Sequence, residues 1–148
     1  MTATPTAPVH PGLFTDATDE PHLVGGRCRE CTRHHFPVLP GCPYCAAAPE
    51  AIERVELPRR GTLWGWTSVT APPPGYTGEV PFGFGVVELP VGMRVITRLT
   101  EADPSQLEFG QEMEVVTVPL HTRDDGTVVV TYAFAPLGDN GTVRGGAR

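Results

Sequence analysis

Four cysteines stand in two pairs, Cys28-Arg-Glu-Cys31 and Cys42-Pro-Tyr-Cys45, with ten residues between the pairs. A C-x-x-C segment turns back on itself, so both sulfurs of a pair face one centre. Two such knuckles supply four thiolates in a tetrahedron, the donor set that suits Zn²⁺. The gap is shorter than the roughly fifteen to twenty residues common in such sites. A two-strand hairpin, out through CTRHHF and back through PVLPGC, is expected to fill it. Disulfides, iron in place of zinc and a thioredoxin-like redox pair are the competing readings. A reducing compartment disfavours the first. The redox pair needs a βαβ setting, whereas Pro-rich turns flank these cysteines. The expectation is one structural zinc ion held by Cys28, Cys31, Cys42 and Cys45. A glycine often follows the second cysteine of a knuckle; Thr32 and Ala46 stand there instead. With four sulfurs filling the tetrahedron, His34 and His35 are expected on the hairpin surface.

Other chemistry is hard to find. Ser68 and Ser105 are the only serines, and neither sits in a G-x-S-x-G elbow. Gly83-Phe-Gly85 stops short of a G-x-G-x-x-G phosphate loop, because position 88 is Glu. All eleven basic residues are Arg. The lack of Lys excludes a Schiff base, a lysine general base and a Walker lysine. Every cysteine is consumed by the knuckles, so none is left for acyl transfer. No catalytic residue of the chain's own is legible.

The elements that must position the knuckles follow from composition and pattern. Gly and Pro number 17 each among 148 residues, together about twice their average share. Both break helix interiors, which favours short strands joined by turns. HLVGGR (22–27) reads as a strand leading into Cys28, and residues 52–57 as another. From Gly61 apolar and polar residues alternate with the two-residue period of a strand. Strands are expected over 61–70, 82–89, 93–99, 112–120 and 127–136. A Pro/Gly loop (71–81) follows the first. A single helical turn, capped by Asp103 and ended by Gly110, precedes the fourth. Asp124-Asp125-Gly126 marks a tight hairpin before the fifth. Five strands at this spacing fit a small OB-type barrel; another five-stranded meander or small sandwich fits as well.

In order, these parts resemble the acyl-CoA-associated zinc-ribbon/OB-fold family, the domain of unknown function numbered thirty-five. The resemblance covers roughly residues 20–137. It rests on Arg27-Cys28 through Phe36-Pro37-Val38, Cys42-Pro43-Tyr44-Cys45, Gly61-Thr62-Leu63, Val80-Pro81-Phe82 through Val87-Glu88-Leu89, and Leu107-Glu108-Phe109-Gly110. It implies a mainly β chain with a rubredoxin-like zinc ribbon followed by a five-stranded OB-fold barrel. The implied organisation is a flexible tail (1–21), the ribbon with its connector (22–57), the barrel (58–137) and a second flexible tail (138–148). The implied role is a non-catalytic accessory subunit of a thiolase-superfamily enzyme: a thiolase, an acyltransferase, or a retro-aldolase of steroid side-chain degradation. The chain would then form a hetero-oligomer with a thiolase-like subunit and shape access for that complex's acyl-CoA.

Several residues are candidates for partner or acyl-CoA contact. Trp64 and Trp66 are expected to share one face of a strand, as barrel core, partner interface or a stacking platform. Tyr76 lies in a Pro-rich loop. Phe82 and Phe84 alternate with glycines and are expected to pack a barrel corner. Arg94 and Arg98 share a strand face, either to meet coenzyme A phosphates or to guard an exposed edge. Glu112 and Glu114 read as a solvated face. The alternative function is a nucleic-acid-binding ribbon/OB module. A net charge of −6 and the absence of Lys count against it. The N-terminus has neither a basic region nor an apolar one, and no apolar run approaches a membrane span, so the cytoplasm is the expected compartment.

Overall fold

Alternation in the sequence becomes strand pairing between Arg60 and Pro136. The computed structural model describes residues 5–15, 20–75 and 80–137. Five strands build the barrel: β5 (Arg60–Val69), β6 (Phe82–Leu89), β7 (Met93–Leu99), β8 (Glu112–Thr122) and β9 (Val128–Pro136). Their order is β9-β7-β6-β5-β8, and β8 pairs back onto β9 to close the barrel. β7 meets β9 in parallel at Leu99 and Phe134, while the other barrel pairs are antiparallel. This is the Greek-key closure of an OB fold. In β7 the inward Met93, Val95, Thr97 and Leu99 are buried, and the outward Arg94 and Ile96 are exposed. A single 3-10 turn, Pro104–Gln106, precedes β8. Its cap is the Asp103 carboxylate, which accepts the Ser105 N–H at 3.0 Å.

Two departures inside the barrel change where the aromatics point. The β5–β6 register shifts between Leu63 and Gly65, which leaves Trp64 as the extra residue of a bulge. Trp64 and Trp66 therefore do not share a face. Leu63 is buried, Trp64 is 45% exposed, and Trp66 packs against the core. In the first half of β6 the inward positions are glycines, Gly83 and Gly85, and in the second half they are Val87 and Leu89. A Cβ on Gly83 would collide with the Glu101 carbonyl oxygen, and one on Gly85 with the Gly65 carbonyl oxygen. The inner side of β6 has no room for a side chain at 83 and 85, and Phe84 between them stands on the outer surface at 39% exposure rather than in a barrel corner.

The ribbon is a three-stranded sheet in the order β3-β2-β4, from β2 (Val24–Cys28), β3 (His34–His35) and β4 (Ile52–Glu56). The expected hairpin between the knuckles does not form. β3 pairs with β2 instead, Gly26 opposite His35, and residues 37–41 are not a strand. Pro37 and Pro40 lack the N–H that a returning strand would donate. The lead segment also differs from a free tail. β1 (Thr6–Pro8) lies parallel to the start of β9, and Phe14 bridges Leu23 and is buried. Residues 1–4, 16–19 and 138–148 lie outside the described residues.

Ribbon and barrel share one core. Phe14, Leu23 and Leu57 belong to the same buried cluster as Leu63, Val87, Leu99, Met113 and Phe134. The Tyr132 ring meets Phe36 edge-on at 5.4 Å and Phe14 at 6.4 Å, and its hydroxyl donates to the Ile96 carbonyl at 3.2 Å. Arg59 clamps the junction. Its Nη1 donates to Glu114 Oε1 at 2.6 Å and its Nε to the Pro21 carbonyl at 3.0 Å, while its own carbonyl accepts from Val115 N–H at 2.8 Å. Glu114 is thus a buried ion-pair partner at 9% exposure, not part of a solvated face; Glu112 is exposed. Glu114→Ala leaves the Arg59 charge buried without its partner. A loss of about 3 kcal/mol is expected, measured as a lower urea midpoint. Glu114→Gln, which keeps an acceptor, is expected to lose less.

Candidate metal centre and the outer strand face

Each knuckle is a tight turn stabilised by its own backbone. Thr32 N–H donates to the Cys28 carbonyl at 2.9 Å, and Ala46 N–H to the Cys42 carbonyl at 3.0 Å. Thr32 and Ala46 take φ of 65° and 63°. These are the two positions where a glycine is common, and the chain adopts the left-handed conformation there without one. The turns aim four sulfurs at one point. Cys28 and Cys45 Sγ are 3.6 Å apart, Cys31 and Cys42 Sγ 3.5 Å apart, and all four lie within 4.8 Å of one another. A metal at about 2.3 Å from each sulfur implies tetrahedral edges of about 3.8 Å. The four sulfurs are thus placed to bind one metal ion, and the set is a zinc-ribbon set.

Four thiolates this close together would call for a cation among them. Burial raises the Cys42 thiol, but the backbone N–H groups of Cys45 and Tyr44 and the neighbouring thiols outweigh it and hold Cys42 down at about 6. At Cys45 the backbone of Ala47 favours the thiolate. Burial and the thiols of Cys28, Cys42 and Cys31 oppose it and push Cys45 up to about 12. One sulfur ionises readily; the last resists because its neighbours crowd it. A divalent ion at the centre removes that conflict. Bound there, zinc would supply a cross-link between the two knuckles.

His35 is the ribbon residue that the sequence misplaced. It is 3% exposed, with its ring packed on Gly26, where any Cβ would collide with it. Its Nε2 accepts the Leu39 N–H at 3.3 Å, which puts the ring proton on Nδ1, a buried atom without a hydrogen-bond partner among the described residues. Gly26 is the only legible signal: a bare strand position opposite an aromatic ring.

Of the remaining candidates, Trp64, Phe82, Phe84, Arg94 and Arg98 lie apart from the metal centre, on the outer face of β5, β6 and β7, while Trp66 packs against the core. Phe84 sits opposite Arg98, and Val86 opposite Ile96. Ile96 is 64% exposed. The Arg94 guanidinium lies over the Trp64 ring at 4.0 Å and bonds Glu88 at 3.1 Å; Arg98 lies over Phe82 at 4.7 Å. Both arginines therefore lie against aromatic rings. Tyr76 lies outside the described residues.

Comparison with known proteins agrees with this architecture. The rubredoxin-like zinc ribbon domain of ChsH2 matches residues 15–50, and the C-terminal OB-fold domain of ChsH2 matches residues 54–118. A DUF35 domain-containing scaffold protein from Pyrococcus furiosus is 34% identical over 78% of this chain and 83% of its own length. The chain belongs to the DUF35 family. The benzoylsuccinyl-CoA thiolase subunit BbsA of Thauera aromatica is 32% identical over 86% of this chain and 87% of its own. Among solved structures, the Ltp2-ChsH2(DUF35) aldolase is similar with a TM-score of 0.57 at 25% identity, over 76% of this chain and 84% of that one. Among the described residues, no helix is long and apolar enough to cross a membrane.

Two outcomes follow from the ribbon. Binding energy at a structural zinc site, about 10–16 kcal/mol in model peptides, is also folding energy. Leu23 and Leu57 are held by the barrel core, so loss of the metal is expected to unfold the stretch beyond them, residues 29–51. Cys42→Ala is expected to abolish one equivalent of zinc and expose amides 29–51 to hydrogen exchange while barrel amides stay protected. His35 supplies the second outcome. Desolvation, with the charge of His34 adding to it, lowers its pKa below the ordinary 6.5. A base with a lowered folded pKa gives stability that is complete above about 6.5 and is lost as pH falls. Ring ¹⁵N shifts are expected to show His35 neutral, with the proton on Nδ1, at pH 6.5, and its protonation to coincide with loosening around Leu39.

Proposed function

We propose that the chain is a non-catalytic accessory subunit of a thiolase-superfamily enzyme acting on an acyl-CoA. It completes a hetero-oligomer and shapes access to the partner's active site. The likeness to BbsA, a thiolase subunit matched over nearly its whole length, carries the reading. The scaffold-protein relative and the aldolase complex point the same way. The chain's own chemistry agrees: its cysteines form one metal cluster, and it has no lysine. We further propose the zinc ligands to be Cys28, Cys31, Cys42 and Cys45, the ribbon with its connector to span 22–57 and the barrel 58–137, and the cytoplasm to be the place of action, where thiols stay reduced.

Co-expression with a thiolase-like subunit from the same source tests this. A single complex is expected on gel filtration at micromolar concentration, with partner turnover altered by the added chain. The purified chain alone is expected to leave acyl-CoA unchanged. Separate elution, together with unchanged partner activity, overturns the reading.

A further inference from the structure

The four sulfurs of the metal centre are not equally reachable. Cys28 ends β2 and is fully buried, and Cys42 is buried at 5% exposure. Cys31 is half-buried, and Cys45 alone of the four is exposed. The chain around Cys45 is open as well, with Pro43, Tyr44 and Ala46 exposed. Backbone donors fix the two buried sulfurs in place. Cys42 Sγ accepts the N–H groups of Tyr44 and Cys45 at 3.4 and 3.5 Å, and Cys28 Sγ accepts that of Cys31 at 3.5 Å. The Arg33 guanidinium lies over the Tyr44 ring at 5.0 Å. It brings a cation to the turn that carries Cys45, and partial exposure beside positive charge is the setting of a reactive thiolate. Behind Cys45, across the knuckles, stands the Cys28 sulfur at 3.6 Å.

We propose that Cys45 is a modification site for hydroperoxides, with Cys28 as its resolving partner, so that oxidation expels the metal from the ribbon whatever partner the chain has. In a four-thiolate set every sulfur is ionised, so access decides which one reacts. Cys45 Sγ attacks one peroxide oxygen. The S–O bond forms as the O–O bond breaks, and the second oxygen leaves as hydroxide and takes a proton to become water. Cys45 is then a sulfenic acid. Cys28 Sγ attacks the Cys45 sulfur, the S–O bond breaks, and the hydroxyl leaves as a second water with another proton. The two sulfurs lose two electrons, and the peroxide gains them. Cys31 and Cys42 no longer complete a tetrahedron; each takes up a proton as the divalent ion departs unchanged in charge. Cys31 and Cys42 are the other close pair, at 3.5 Å, but both are shielded more than Cys45. A thiol reductant reverses the step by exchange with the Cys28–Cys45 disulfide, and the four sulfurs are again free to take metal.

The test uses the full, zinc-loaded chain. Under limiting N-ethylmaleimide, peptide mapping is expected to show Cys45 alkylated roughly fivefold faster than any other cysteine. Hydrogen peroxide is expected to release one equivalent of zinc, read with a chromogenic chelator, and to leave a Cys28–Cys45 disulfide by mass spectrometry. Dithiothreitol with added zinc is expected to restore the metal content. Cys45→His keeps a zinc ligand at that corner without a thiolate, and is expected to slow peroxide-driven release roughly tenfold. The wild-type map decides even where that variant fails to hold zinc. Faster labelling at Cys31, equal labelling of all four cysteines, a disulfide other than Cys28–Cys45, or retention of zinc through peroxide treatment each overturns the inference. So does release from a zinc-holding Cys45→His chain at the wild-type rate.

Discussion

Four sulfurs within 4.8 Å of one another cannot all carry charge unless a cation lies among them. The outer ribbon depends on this constraint more than on any apolar contact. Between residues 29 and 51 the buried side chains are His35 and Cys42 alone, too few to drive collapse of such a short segment. A metal cross-link takes the place of a core there. The hydrogen bonds at Thr32 and Ala46 hold the turns in the shape that brings the sulfurs together, in a backbone conformation that non-glycine residues seldom adopt.

The inner ribbon follows different physics. Leu23 and Leu57 are fully buried in a cluster continuous with the barrel, so burial anchors the root of the ribbon and metal organises its tip. Arg59 sets the angle between the two parts. It ties Pro21, at the ribbon's base, to Glu114 and Val115 on β8. With side chains 19% and 11% exposed, the Arg59–Glu114 pair sits mostly out of water, where desolvation opposes Coulomb attraction. The further backbone acceptor for Arg59 lets such a pair define one geometry. Phe36 against Tyr132 adds an apolar contact between ribbon and barrel. A partner gripping either part would therefore meet a preset arrangement.

What was legible in the sequence was whatever one strand or turn decides alone. The alternation in MRVITRL gives β7 its inner and outer faces, and Asp103-Pro-Ser gives the capped turn. The cysteine spacing gives the metal cluster because two local turns suffice to build it. What was not legible depends on a second segment. Whether Trp64 and Trp66 share a face depends on a bulge that the β6 register imposes. Glu114 alternates like a solvated residue, and its partners Arg59, 55 positions away, and Arg60 come from another strand and its approach. His35 reads as a surface residue until Gly26 on the paired strand makes room for its ring. Thr6–Pro8 carry no strand pattern, yet β9 offers them an edge.

The barrel's interior and its surface are also linked. A barrel of five strands has little room at its centre, and β6 lies close enough to neighbouring backbone that only glycine fits at 83 and 85. Over this half of the strand the bulk has one place to go, whereas Val87 and Leu89 further along fill the core. Phe82 and Phe84 lie outside, and the chain covers one of the exposed rings from above with a cation. Arg98 over Phe82 and Arg94 over Trp64 gain cation–π energy of about 0.5–1 kcal/mol each at exposed sites. They also break an apolar stripe that would otherwise favour self-association. The same guanidinium groups carry charge complementary to carboxylates. Lack of space inside the strand at 83 and 85 thus places aromatic rings on the surface, and arginines cover two of them.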